Sequence, residues 1–156
     1  MIPADASLEV TRRPDGTSEF RWSCQCAFAE RWPLAAAAAL AKMTPPVEAI
    51  ALLVGALGAA PQQEHAVAKL SRWAAHGAYR YAPSMVGMFS REMSRPTDVP
   101  AQPERWSASV WWGAGGQDDR HGECVVPVAE VTAEEAVRRA VEAAQGGGSS
   151  GHARQP

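Results

Sequence analysis

Glu19-Phe20-Arg21-Trp22-Ser23-Cys24-Gln25-Cys26-Ala27-Phe28 alternates apolar and polar side chains with a period of two. In an extended strand successive side chains leave opposite faces, so Phe20, Trp22, Cys24, Cys26 and Phe28 share one side. Glu19, Arg21, Ser23 and Gln25 share the other. The stretch therefore predicts a strand with one core face and one wet face.

Upstream, Leu8 and Val10 alternate with Ser7, Glu9 and Thr11, and Pro14-Asp15-Gly16 follows. Proline presets φ and glycine supplies a positive φ, so this is a turn joining two strands into a hairpin. Downstream, Trp106, Ala108, Val110 and Trp112 alternate with Arg105, Ser107 and Ser109. After the loop Gly113-Ala114-Gly115-Gly116, the residues Cys124, Val126 and Val128 supply a fourth apolar row, which predicts a second hairpin. Pro127 has no N–H to give a ladder, so the last strand belongs at a sheet edge, or has that position facing solvent.

Between the hairpins the period lengthens. Leu34 to Met43 is an Ala-rich helix candidate that starts after Pro33. Thr44 is a candidate cap for a helix with Pro45 at its first position, running through Ile50, Leu53, Val54 and Leu57 to Gly58. Pro61 to His76 places Val67, Leu70 and Ala74 on one stripe before Gly77, and reads as a third helix. Ser84 would cap a short fourth carrying Met85, Met88, Phe89 and Met93, ahead of a loop with Pro96, Pro100 and Pro103. Thr132 and Glu135 form the S/T-x-x-E box of a final helix with Ala133, Val137, Ala140, Val141 and Ala144 on its apolar stripe.

The expected fold is thus α+β: a four-stranded antiparallel sheet of two β-hairpins, packed on one face by Ala-rich helices. The element order is two strands, three or four helices, two strands and a helix. Residues 1–145 are expected to form a single domain, because 156 residues bury enough surface to fold without metal or disulfide. Residues 146–156 are Gly/Ser-rich with almost nothing apolar to offset ordering entropy, and are expected to be a disordered tail.

A formal charge of −2 gives no global electrostatic case for a nucleic-acid or anionic-membrane binder. The opening Met1-Ile2-Pro3-Ala4-Asp5 shows neither the basic nor the apolar region of a secretory signal, so a cytoplasmic location is expected. Val47 to Ala60 is apolar, but too short and too interrupted to span a bilayer. No membrane partner is expected.

Several groups could carry chemistry. Cys24 and Cys26 with His121 and Cys124 have the composition of a zinc site, but the two thiols fall on the core-facing row. His121 and Cys124, three apart, fall on opposite strand faces. His121-Gly122-Glu123 has the His-x-Glu form of zinc deaminases, without the downstream Pro-Cys-x-x-Cys. Cys124 on a core row lacks the exposure a nucleophile needs. Asp118, Asp119, His121 and Glu123 have no defined ligand spacing for a cation, and read as a solvated loop. The Gly113–Gly116 loop joins strand to strand and so lacks the helix N-terminus that cradles phosphate. No metal or cofactor is expected.

Two surface features remain. His65, Lys69, Arg72 and His76 would line one face of the helix expected at residues 61–76, with Trp73 beside them and Arg80 beyond. Helices 45–60 and 61–76 would then make a helix-turn-helix with the strand pair 105–128 as a wing. Trp111 breaks the inner row and projects outward among Arg105, Ser107 and Ser109, as an interface anchor would. Tyr79 and Tyr81 bracket Arg80 in a similar way.

The expectation is a small intracellular, non-enzymatic binding or accessory protein that acts through a protein partner. Self-association through Trp111 or the Val47–Ala60 helix fits the same residues. One alternative is a winged-helix-like nucleic-acid-binding regulator using the basic face. The other is a small enzyme or ligand-binding domain with a pocket between sheet and helices.

Overall fold

In a computed structural model of the chain, residues 2–24, 44–75, 79–80 and 98–147 are described. Strands β1 (Ala6–Arg12) and β2 (Ser18–Cys24) form the first hairpin. Helix α1 (Val47–Leu57) follows, then β3 (His65–Trp73), the short pair β4 (Tyr79–Arg80) and β5 (Asp98–Val99), and the long strands β6 (Arg105–Gly113) and β7 (Arg120–Pro127). Helix α2 (Ala133–Gly147) closes the sequence of elements.

The main sheet is antiparallel and has five strands in the order β2-β1-β3-β6-β7, not the expected four. The extra strand is β3, which occupies residues expected to be helical. His65-Ala66-Val67-Ala68-Lys69-Leu70-Ser71-Arg72-Trp73 supports both periods: Val67, Leu70 and Ala74 suit a helix, and Ala66, Ala68 and Leu70 suit a strand. The strand wins because β3 hydrogen-bonds on both sides, to β1 and to β6, and its inner apolar residues Ala66, Ala68 and Leu70 are fully buried. Alanine's helical preference is worth less than two complete ladders and a place in the core.

Among the described residues there are two helices instead of the four or five the sequence suggested, and both pack on the same face of the sheet. The candidates at 34–43 and 84–93 lie outside the described residues. α1 lies over β1 and β3, and α2 over β6 and β7. Thr44 does not cap α1; the helix begins after Pro46 with no side-chain cap. α2 starts as expected, with the Glu135 N–H donating to Thr132 Oγ1 at 3.1 Å. It runs through Gly146 and Gly147, which the sequence had assigned to the tail, and residues 148–156 lie outside the described set.

The core is a single cluster between sheet and helices. Leu8, Val10, Leu70, Val110, Trp106 and Trp112 meet Leu53 of α1 and Ala136, Ala140 and Ala144 of α2. At Gly122 of β7, α2 comes so close that a Cβ would overlap the Ala140 carbonyl oxygen and the Ala144 amide. The small inner residue there, with the alanine stripe opposite, sets the depth at which the helix docks.

The second hairpin keeps its expected inner row, and Pro127 lies on an edge strand as expected. The first hairpin needs a correction. Trp22 packs against the core, but Phe20 is 53% exposed, because β2 is the outermost strand and extends past α1. Cys24 belongs to β2 by its backbone; Cys26 and Phe28 lie outside the described residues.

Candidate functional site

The face of the sheet away from the helices is laid out in cross-strand rows. One runs Glu19–Thr11–Val67–Trp111–His121, and the next Arg21–Glu9–Lys69–Ser109–Glu123. The second row alternates charge over its first three positions, with Arg21 4.0 Å from Glu9.

The expected basic face does not exist, because His65, Lys69 and Arg72 stand on a strand. His65 and Lys69 point away from the helices; Arg72 points toward them, in register with Ala6 and Trp106. Its Nε lies 2.7 Å from Glu104 Oε2, its Nη1 donates to the Ile2 carbonyl at 3.1 Å, and its guanidinium stacks 5.4 Å from the Trp106 ring. Arg72 is committed inside the fold. Arg80 sits in β4, paired with Asp98 by backbone register, and His76 lies outside the described residues. Without a helix at 61–76 the helix-turn-helix arrangement falls.

The structure instead joins two residues the sequence had singled out separately. His65 faces Gly113 across the β3–β6 ladder, and its imidazole leans on Trp111. The ring centroids are 5.6 Å apart and the planes cross at 78°, an edge-to-face arrangement. Together they border a cleft of about 370 Å³ at the end of the sheet. Its other walls include Pro14 of the β1–β2 turn, Glu64 just before β3, and Gly113 and Gly115 of the β6–β7 turn.

Both walls are held by side chains, Arg12 on one side and Asp119, expected only as part of a solvated loop, on the other. Arg12 donates to the carbonyls of Leu57 at 3.1 Å and Pro61 at 2.6 Å, and reaches Glu64 O at 3.5 Å, fastening the α1–β3 loop. Asp119 Oδ1 accepts from the N–H groups of Gly115 and Gly116 at 3.0 and 3.1 Å. The acidic turn is therefore ordered by one of its own carboxylates, which reaches back three and four residues along the chain. No family model, curated protein or solved structure matches the chain.

The remaining chemical candidates are kept apart by the alternation of β7. His121 lies on the open face, its Nε2 3.1 Å from Glu123 Oε2. Cys124 lies on the helix-facing side, half-buried, and burial pushes its thiol pKa up against the opposing pull of Arg139. A raised pKa disfavours the thiolate that metal binding or nucleophilic attack needs. Among the described residues no cluster of His, Cys, Asp or Glu has the geometry to hold a metal, and no helix is long and apolar enough to cross a membrane.

Proposed function

We propose that the protein is a small non-enzymatic binding or accessory protein that contacts a protein partner through the His65–Trp111 end of the sheet. The supporting observation is the edge-to-face pair itself: two amphipathic rings from different strands at the mouth of a cleft. Such rings supply contact area at little conformational cost, which is why tryptophan anchors interfaces. The cleft is bordered by turns that are already fastened, so little ordering opposes binding. Lys69 and His121 extend the same face.

The test compares capture of partners from the native host by the wild-type protein and two variants, read by native mass spectrometry. One stoichiometric polypeptide should be lost with Trp111→Ala and retained with Phe20→Ala, which removes an exposed ring on the opposite face. Retention by the Trp111 variant, or loss with the Phe20 variant, overturns the assignment.

A further inference from the structure

Strand β2 ends the sheet. Among the described residues it pairs with β1 alone, so one row of its backbone N–H and C=O groups has no ladder partner. The turn decides which residues own that row. The Arg13 N–H donates to the Thr17 carbonyl at 2.8 Å, and along an antiparallel ladder hydrogen-bonded and non-hydrogen-bonded pairs alternate. Glu19, Arg21 and Ser23 therefore spend their backbone groups on β1, while Ser18, Phe20 and Trp22 direct theirs outward. Sheet edges are commonly blunted by proline, a bulge or lysine. β7, the other edge, carries Pro127. Ser18 to Ser23 holds no proline, glycine or lysine, and its charges are of both signs.

Those signs are ordered. Glu19 and Arg21 stand two apart on the open face, both side chains more than half exposed, with the exposed Phe20 between them on the other face. When a second β2 is laid antiparallel on the outward row with Phe20 opposite its own copy, Ser18 faces the copy's Trp22. All three outward residues then find backbone partners. Glu19 faces Arg21 of the copy and Arg21 faces its Glu19, at non-hydrogen-bonded positions where Cα atoms stand about 4.5 Å apart. The four charges form a square whose sides join opposite signs; only the diagonals join like ones. Charges already beside them keep the same order. Arg13 lies 2.8 Å from Glu19, Arg21 lies 4.0 Å from Glu9, and Glu9 is in register with Lys69. Across the junction the run is Arg13 and Glu19, then Arg21, Glu9 and Lys69 of the copy, and every neighbour is opposite in sign. Centring the pair on Glu19 or on Arg21 would set like charges face to face, so charge favours the Phe20-centred register over these neighbours.

We propose that the protein forms a two-fold dimer in which β2 pairs antiparallel with β2 of a second copy, with Phe20 on the axis and Glu19 against Arg21. The two sheets join into one, by strand addition at a self-complementary edge. Phe20 loses water against the same ring of the copy, which gives a role to an exposed aromatic on an edge strand. The dimer uses no residue of the His65–Trp111 contact, and neither depends on the other.

Sedimentation equilibrium of the full chain tests this. Wild type should dimerise. Glu19→Arg and Arg21→Glu each turn both cross-strand charge pairs into like pairs, and each should weaken the dimer by about tenfold. Mixing the two variants one to one restores opposite signs at both positions, so the mixture should dimerise near the wild-type affinity. Mixing cannot repair a disturbed fold, so this rescue separates a lost contact from a misfolded variant. A wild type that stays monomeric, a dimer indifferent to both reversals, or a mixture no tighter than its parts overturns the assignment.

Discussion

Arg12 and Arg120 stand in one cross-strand row of the sheet, and each holds the C-terminal end of a different helix. The row runs Arg12–Ala66–Trp112–Arg120 across β1, β3, β6 and β7. Arg12 donates to Leu57 O at the end of α1, and Arg120 donates to Ala144 O at 3.3 Å and Gln145 O at 3.0 Å near the end of α2. The last carbonyls of a helix have no partners within it and carry its negative end, so a guanidinium satisfies both needs. Neither helix has a basic residue in its own last turn, so the sheet supplies the charge instead.

Arg12→Met should cost about 1–3 kcal/mol, since it strips several carbonyls at once, and Arg120→Met about 1 kcal/mol. Three strand spacings separate the two, roughly 14 Å, so the double variant should be additive to within about 0.5 kcal/mol. Urea unfolding of the four proteins checks this. A larger coupling would mean that the helices respond as one body.

Gly122→Ala should destabilise by about 1–3 kcal/mol or more, because the added methyl meets the backbone of α2 and a flexible side-chain tip is not there to yield. Amide exchange should show the loss first in α2 and β7. Gly116→Ala, whose Cβ meets nothing, is the control and should stay within about 0.5 kcal/mol.

Arg72→Glu should lower stability by about 1–3 kcal/mol, because it removes charged hydrogen bonds and sets a carboxylate beside Glu104. The measurement is the urea midpoint. A basic contact residue would instead leave stability intact and change only binding.

Hydrogen bonds from Arg138 and then Arg139 pull the Glu135 carboxyl pKa from 4.5 down to about 2. A depressed folded value means the native state binds the proton less readily than the unfolded chain. The contribution of this cluster is therefore complete above about pH 4.5 and is lost as pH falls toward 2. Carboxyl-carbon NMR should place the Glu135 midpoint near 2 in the wild type. It should move back toward the ordinary glutamate range in Arg138→Ala.

The legible part of the fold was the part whose signals are local. The turn at Pro14–Gly16, the alternation from Trp106 to Trp112, the edge position of Pro127 and the Thr132 cap each depend on residues close in sequence. The candidate site was half legible. Trp111 stands out in the sequence as a large ring off the inner row, whereas the spacing that marks His65 is a helical one that the chain does not adopt.

By itself, the sequence determined the two hairpins, the wrapping of alanine-rich helix onto their inner row, and the final helix with its cap. Only the tertiary structure decided that residues 65–73 extend, since a short apolar run fits either period until neighbouring strands offer ladders on both sides. The same insertion of β3 beside β6 brings His65 to Trp111 and sends Arg72 inward, and the folding of helices over the sheet brings Arg12 to the end of α1 and Arg120 to the end of α2. Those roles depend on register between strands far apart in the chain, and a local pattern carries no information about register.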